Sequence, residues 1–416
     1  MLRKGSVLFR NRNFAFLLGG QWISEIGNTF FSLAIFWYVL QITRSPASLG
    51  IVGVVLSLPS IFGLVSGVIV DRLEDRVVMI VSDAIRAVLA LAIALLAFFN
   101  VLSVVVLLIL LVLLQIAGTF FQPASMALLP RIVNNHDRTE ANGAYRAASS
   151  SAALIGASGG GAVMVLLGPV TLFFINAVSF VVSAMSLGLI RLPQADRQPS
   201  MTTNESLITE WIGGFRYLWG DLFTKSLIFS SVTINMAMQV LMVLLAAWVK
   251  YAIHGTAFDY GLLIVSYVMG LIIGALVAAP IAKRVGMTRS IIVGLIGTAL
   301  ATAVFSRFTY LYWDLVPFFA IGFSSAVRNT AFFSDLQERV PGDLHGRVFG
   351  TLFSLAAIAN PIGAGLGGLA AQRYPITFIY LLVSIVVLFS TIPLFRFWNV
   401  TARLKSDLQH KGETVS

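Results

Sequence analysis

The sequence predicts an all-α integral membrane protein with twelve transmembrane helices in two pseudo-symmetric bundles of six. Three observations support this class: 58% of the 416 residues are hydrophobic, only 11% are charged, and the mean hydropathy is +0.90. Soluble proteins carry about 25% charged residues, so this chain has less than half of the usual share. At roughly 20 residues per span, the chain is long enough for about a dozen crossings.

Long apolar stretches alternate with short charged gaps along the chain. Backbone amides in hydrocarbon need partners within the protein, and these stretches are continuous rather than alternating, so we expect helices and not barrel strands. The predicted spans cover residues 14–41, 47–70, 77–99, 101–126, 138–167, 169–190, 223–249, 258–282, 288–306, 309–335, 345–372 and 375–397.

The basic residues predict the orientation of the chain. With a cytoplasmic N-terminus, four of the 28 Lys and Arg residues fall outside, three lie within spans, and the other 21 are cytoplasmic. This excess follows the positive-inside rule, so both termini are predicted to be cytoplasmic. The predicted domains are an N-terminal bundle (1–190), a linker (191–222), a C-terminal bundle (223–400) and a cytoplasmic tail (401–416).

The central linker contains apolar residues at every fourth position, namely Leu207, Trp211, Phe215 and Trp219. This spacing is typical of an amphipathic helix that lies on the membrane surface. A plain linker with incidental aromatic residues is the alternative.

Four GxxxG pairs indicate an internal repeat. They are Gly63 and Gly67, Gly156 and Gly160, Gly270 and Gly274, and Gly363 and Gly367. Equivalent glycines in the two halves differ by 207 in residue number, as do Asn28 and Asn235. Small residues let helices approach closely within lipid, so these glycines are predicted to mediate helix packing. Six spans per half predict a parallel repeat around a shared midplane cavity, which favours a transporter with alternating access.

Glu25 is the acidic residue placed most deeply in a predicted span. Gln21, Glu25 and Asn28 share one helix face at positions i, i+4 and i+7. An ionisable group there costs about 2.5–3.5 kcal/mol on insertion scales, and loss of solvation favours the protonated carboxyl. Glu25 is therefore the candidate proton-coupling residue. A structural glutamate bound to a neighbouring helix is the alternative.

Further polar residues form stripes on predicted helices one, four, seven and ten, which line the cavity in a two-bundle transporter. With Gln21 and Asn28, the predicted cavity residues are Trp22, Gln115, Gln122, Asn235, Gln239 and Arg328. Few polar groups among many apolar ones suit a roomy pocket for small molecules. Arg328 either accommodates an anionic group or pairs with an internal acid.

The loop between spans two and three carries dense alternating charge. Its candidate gate residues, including those at the start of span three, are Gly67, Asp71, Arg72, Arg76, Asp83 and Arg86. Salt bridges among them would hold the cytoplasmic side in one conformation, whereas a solvated charged loop is the alternative. An intrahelical pair also explains Asp83 and Arg86.

Other classes of function have no support in the sequence. The chain has no cysteine, its four histidines are dispersed, and it contains no P-loop, HExxH, GxSxG or dinucleotide-binding glycine motif. We therefore expect no enzyme activity, cofactor or metal. The net charge of +10 is spread over short gaps, so no nucleic-acid partner is expected.

The stretch with Gly67, Asp71, Arg72 and Arg76 resembles motif A of the major facilitator superfamily. Its continuation through Asp83 and Arg86 is similar to the drug:proton antiporter-3 branch, which includes macrolide-efflux and enterobactin-exporter-like proteins. Further similar segments are Pro123–Arg131, Ala141–Asn142, Trp211–Leu218, Gly346–Phe349 and Pro361–Gly363. Predicted helix four lacks the arginine of that family's motif B.

The resemblance implies the major facilitator fold and a proton-driven exporter of lipophilic or amphipathic small molecules. The expected partners are a small-molecule substrate, protons and the lipid bilayer, with the chain a monomer in a bacterial cell membrane. Two alternatives stay open: a lipid flippase or gradient-independent facilitator with the same fold, and a membrane partner or sensor that transports nothing.

Overall fold

The computed structural model describes residues 10–57, 70, 73–191, 215–216, 219–220, 222–341 and 344–398. Within these residues every regular element is a helix. Several predicted features lie outside the described residues: Gly63, Gly67, Asp71, Arg72, most of the linker and the C-terminal tail. Of the amphipathic linker pattern, Phe215 and Trp219 are described, and their rings stack at 4.7 Å between centroids.

Seven α-helices of the described ranges precede the linker, and the all-α prediction is confirmed. They are α1 (Arg12–Thr43), α2 (Pro46–Leu56), α3 (Asp75–Phe98), α4 (Val104–Thr119), α5 (Phe121–Ile132), α6 (Arg138–Leu167) and α7 (Pro169–Gly188).

Seven further helices follow the linker. They are α8 (Leu222–Ala247), α9 (Ala257–Val285), α10 (Met287–Phe305), α11 (Leu311–Arg339), α12 (His345–Ala370), α13 (Ile376–Phe389) and α14 (Ile392–Phe395). A π-helical turn, Trp248–Ala252, continues α8.

Ten helices in the described ranges are long and apolar enough to cross a bilayer. The α4 and α5 segments count together as one of these, Val104–Ile132. Helix α11 is not among the ten because acidic and basic residues interrupt it, including Asp314, Arg328 and Asp335. Helix α2, with 11 residues, is a shorter apolar helix, and most of the rest of the second predicted span lies outside the described residues.

The fourth predicted span is interrupted at Phe120, which lies between α4 and α5. Pro123 has no backbone N–H, so it cannot donate to the carbonyl one turn earlier, and its ring crowds that carbonyl. The Thr119 hydroxyl also donates to the Ile116 carbonyl at 2.7 Å. The two effects divide a stretch that hydropathy alone predicts as one helix.

The chain divides into two compact units. The first contains Met1–Thr202 and His254–Leu262, and the second contains Thr203–Ile253 and Leu263–Ser416. In the first unit α1 packs against α6 and α7, and α3 packs against α7 and α4. In the second unit α8 packs against α12 and α13, and α10 packs against α13 and α11. Equivalent spans therefore make equivalent pairs within each unit.

Glycines allow the closest of these helix contacts. A Cβ atom added at Gly156 would lie 2.6 Å from Thr29 Cβ, and one added at Gly363 would lie 2.9 Å from Met236 Cα. Thr29 and Met236 differ by 207 in residue number, which is the offset of the glycine repeat. The internal repeat is therefore present in the contacts as well as in the sequence.

The other described glycine pairs behave in the same way. A Cβ atom added at Gly160 would contact Leu33 at 2.8 Å, and one added at Gly367 would contact Val240 at 3.2 Å. Gly270 and Gly274 on α9 face the backbone of α11, where an added Cβ atom would overlap Phe319 and Phe323.

Candidate functional site

A buried ion pair lies on α3 inside the first unit. The Arg86 Nη1 donates to Asp83 Oδ1 at 3.1 Å, and the two side chains are one helical turn apart. Asp83 is 0% exposed and Arg86 is 9% exposed. Buried charges persist when they are paired, so this contact stabilises both side chains. The intrahelical pair expected from the sequence is present.

Arg86 also connects α3 to the polar stripe of α1. Its Nη2 donates to Asn28 Oδ1 at 3.1 Å, and the Glu25 carboxylate interacts electrostatically with the same guanidinium. Glu25 itself is half-buried, and its carboxylate makes no hydrogen bond or ion pair with any described residue. The predicted coupling residue is therefore close to a cation that already has two other partners.

Aromatic and small residues shape the space around Arg86. Its guanidinium lies 3.9 Å from the centroid of the Phe180 ring, which adds a cation–π contact. Gly118 on α4 lies next to this side chain, and a Cβ atom there would make an ordinary van der Waals contact with Arg86 Nε at 3.6 Å. Helix α4 contributes no arginine here, and Arg86 of α3 places its positive charge beside α4 instead.

A cavity of about 530 Å³ opens beside α5 and α6. It is lined by Gln122, Ser125, Met126, Leu129, Asn142, Tyr145, Arg146, Ser149 and Ser150. Tyr145 interacts electrostatically with Glu25, which places the cavity near the α1 stripe. No described carboxylate lies within ion-pair distance of Arg146. The cavity therefore combines an available cation with hydroxyl and amide groups.

The remaining predicted cavity residues of the first unit make contacts of their own. The Trp22 indole donates to Ser151 Oγ at 3.0 Å, which ties α1 to α6. The Gln115 amide donates to the Leu56 carbonyl at 3.0 Å, which ties α4 to the end of α2. The side-chain oxygen of Gln21 is buried and has no hydrogen-bond partner among the described residues. Of the two glutamines predicted beside the cavity on the fourth span, Gln122 lines the cavity. Gln115 instead makes a contact between helices.

The predicted polar residues of the second unit are more separate. The Asn235 amide donates to the Ser231 carbonyl of its own helix at 2.8 Å, and Gln239 is half-buried on the next turn. Arg328 on α11 is close to Tyr267 on α9, and its Nε is buried without a hydrogen-bond partner. No described carboxylate pairs with Arg328. Of the two interpretations of Arg328, an internal acid partner is not seen in these ranges.

One described gate residue, Arg76, and its neighbour Asp75, which was not predicted as a gate residue, make contacts that fix helix ends. Arg76 donates to the Leu187 carbonyl at 2.9 Å and to the Gly188 carbonyl at 2.5 Å, at the C-terminus of α7. A positive charge at this end also suits the helix dipole. Asp75, at the start of α3, accepts from Arg131 of α5 at 2.8 Å. These contacts join three helices of the first unit at one end.

One fully buried acid was not predicted from the sequence. Asp314 on α11 is 0% exposed, and its Oδ2 accepts from the Trp248 indole at 3.1 Å. The sequence does not single out Asp314 because this residue lies near the end of a predicted span, where a carboxylate usually reaches water.

Helices long enough to span a bilayer, with buried charges and a polar cavity between them, define a helical membrane transporter. Residues 17–363 match the family model described as Major Facilitator Superfamily, and a second match covers residues 227–414. The chain belongs to the Major Facilitator Superfamily. The resemblance drawn from its motifs is confirmed, and the chain is a transporter and not an enzyme.

Curated relatives support the drug-efflux branch. The chain is 26% identical to the multidrug efflux pump Tap of Mycolicibacterium fortuitum over 371 aligned residues. The alignment covers 87% of this chain and 90% of the relative. It is 25% identical to macrolide efflux protein A of Streptococcus pyogenes over 384 aligned residues. This alignment covers 89% of this chain and 92% of the relative.

Solved structures share the fold. The nucleoside transporter NupG superposes with a TM-score of 0.73 at 13% identity and covers 92% of this chain and 98% of its own. A bacterial homologue of the iron transporter ferroportin superposes with a TM-score of 0.72 at 16% identity and covers 95% of this chain and 100% of its own. At these identities the likeness shows the major facilitator fold alone.

Proposed function

We propose that this transporter exports lipophilic or amphipathic small molecules in exchange for protons, by alternating access. The supporting observation is the buried network of Asp83, Arg86 and Asn28 beside the unpartnered carboxylate of Glu25. Multidrug and macrolide efflux relatives supply the substrate class. Both termini are cytoplasmic and the chain acts as a monomer in this proposal.

We assign proton exchange to Glu25 because its carboxylate lies beside Arg86 and makes no hydrogen bond or ion pair with a described residue. Asp83 already neutralises Arg86, so ionised Glu25 adds a second negative charge near one cation. Protonation of Glu25 removes this excess charge and leaves the Asp83–Arg86 pair intact.

The cavity beside α5 and α6 receives the substrate. Met126 and Leu129 supply apolar surface, whereas Gln122, Tyr145 and Arg146 supply a few polar anchors. Ligand pockets for small molecules commonly combine a mainly apolar lining with a few such groups. Because Tyr145 is near Glu25, substrate binding and proton binding occur close enough to influence each other electrostatically.

Replacing Glu25 with glutamine tests the coupling. Glu25→Gln keeps the size of the side chain and removes its proton exchange, so we expect uptake of a labelled macrolide into inverted proteoliposomes to lose its dependence on a pH gradient. Gradient-driven uptake should fall about tenfold or more. The matched control is Glu338→Gln, which neutralises an exposed acid on α11 and should leave the gradient dependence unchanged.

Undiminished gradient dependence in Glu25→Gln would show that Glu25 is not the coupling residue. Movement of labelled lipid without any gradient, in the unchanged protein, would instead support the flippase or facilitator alternative.

A further inference from the structure

The second unit contains a buried carboxyl for which the coupling scheme above has no role. Asp314, near the start of α11, is 0% exposed, and its Oδ1 has no hydrogen-bond partner among the described residues. Its Oδ2 accepts one hydrogen bond, from the indole of Trp248 at 3.1 Å. A single neutral donor is far less than a buried carboxylate needs to replace its lost hydration.

The surroundings of Asp314 are aromatic. Trp248 lies 5.3 Å from Phe305 of α10 and 5.2 Å from Tyr380 of α13 between ring centroids. Phe305 lies 5.0 Å from Phe318, one turn along α11 from Asp314. All four rings are fully buried. We call these four aromatic residues and Asp314 the aromatic box. The four rings exclude water from the carboxyl of Asp314.

No cation compensates Asp314 in the described part of the chain. The charged or titratable groups on the elements around it include Lys250 and Tyr251 in the π-helical turn, Tyr260 and Tyr267 on α9, Arg307 after α10, Tyr310 and Tyr312 beside the start of α11, and Tyr380 on α13. The Tyr380 hydroxyl donates to the Leu241 carbonyl at 3.0 Å. Asp314 forms no ion pair with Lys250 or Arg307. A buried carboxyl without a cation takes up a proton instead of remaining charged.

We propose that Asp314 is a second proton-binding residue, which holds a proton while the aromatic box is closed and releases it when the box opens during transport. The π-helical turn Trp248–Ala252 adjoins the box, and such turns occur frequently at functional sites because they can shift register locally. This inference rests on the proposed proton antiport for its role in transport, but proton binding by Asp314 does not depend on it.

In the proposed orientation, the aromatic box lies on the extracellular side. The C-terminal ends of α8 and α10 and the N-terminal ends of α11 and α13 meet there, and spans seven and nine run outward in this topology. A proton bound to Asp314 would therefore enter from outside, on the side where an exporter takes up its proton. Glu25 and Asp314 then give each unit one exchangeable carboxyl.

Trp248 is a built-in reporter for this proton, because its indole contacts the carboxyl directly. We expect the fluorescence of Trp248 in the full-length protein in nanodiscs, obtained by subtracting the Trp248→Phe signal, to change with pH. Asp314→Asn keeps an acceptor for the indole but cannot titrate, so the change should disappear in that variant. Asp259→Asn alters an exposed side chain that accepts a hydrogen bond from the Thr256 backbone N–H at the start of α9, and this variant should retain the pH-dependent change in fluorescence.

The second readout is transport of a labelled macrolide in proteoliposomes. Asp314→Asn should reduce uptake driven by a pH gradient about tenfold while macrolide affinity changes less than about twofold. If the Trp248 signal of the otherwise unchanged protein does not vary with pH, the proposal is overturned, whether or not Asp314→Asn folds. It is also overturned if Asp314→Asn retains full gradient dependence. If the unchanged protein transports without any gradient, the antiport proposal fails, and the fluorescence titration still decides whether Asp314 binds a proton.

Discussion

We expect Arg86→Met to abolish most of the folded protein in the membrane. The substitution leaves Asp83 fully buried and paired with no other cation of the described residues, and it also removes the donor to Asn28 and the cation–π contact with Phe180. Breaking a buried ion pair from one side costs about 3–5 kcal/mol, which is a large part of the stability of most domains. The yield of monodisperse protein and its apparent unfolding temperature in detergent measure the effect.

Two variants separate the charge from the shape of this side chain. The double variant Asp83→Asn with Arg86→Met removes both charges, so it should recover much of the lost stability because no unpaired carboxylate remains. Arg86→Lys keeps the charge but loses the planar guanidinium, and it should give an intermediate value. A single Arg86→Met variant as stable as the unchanged protein would show that the Asp83–Arg86 pair contributes little.

Gly363→Ala has the second largest expected effect. The added methyl group would overlap the Met236 carbonyl oxygen and approach the Met236 Cα to 2.9 Å, and a backbone cannot move aside as a flexible side chain can. Helix α12 must therefore shift away from α8. Overpacking of this kind costs about 1–3 kcal/mol. The apparent unfolding temperature of the purified variant should fall accordingly.

Gly350→Ala is the matched control for this prediction. Gly350 lies on the same helix, and an added Cβ atom there has no neighbour within 4 Å. Alanine favours helix by up to about 1 kcal/mol relative to glycine, so this variant should be unchanged or slightly more stable. Equal unfolding temperatures for the two variants would contradict a close contact between α12 and α8.

The sequence predicts the helices of this protein well because lipid constrains them strongly. The predicted span 138–167 coincides with α6, Arg138–Leu167, and the offset of 207 between glycines reappears as matched contacts at Thr29 and Met236. Hydropathy failed at Phe120, because a proline-induced break changes backbone geometry without changing apolar character.

The site was predictable only in part. Positions i and i+3 predicted the contact between Asp83 and Arg86, since one helix places them together. The bond from Arg86 to Asn28 joins residues 58 positions apart, and a single sequence contains no signal for such a pair. Asp314 is missed for a similar reason, because its burial depends on rings from α8, α10 and α13 rather than on its own helix.

The exchange of substrate for protons is tested most directly by proton flux driven by substrate alone. A labelled macrolide is placed on one side of sealed proteoliposomes with equal pH on both sides, and a trapped dye reports the internal pH. The account predicts saturable proton movement opposite to the macrolide, lost in Glu25→Gln. Macrolide movement with no accompanying change in pH would contradict it.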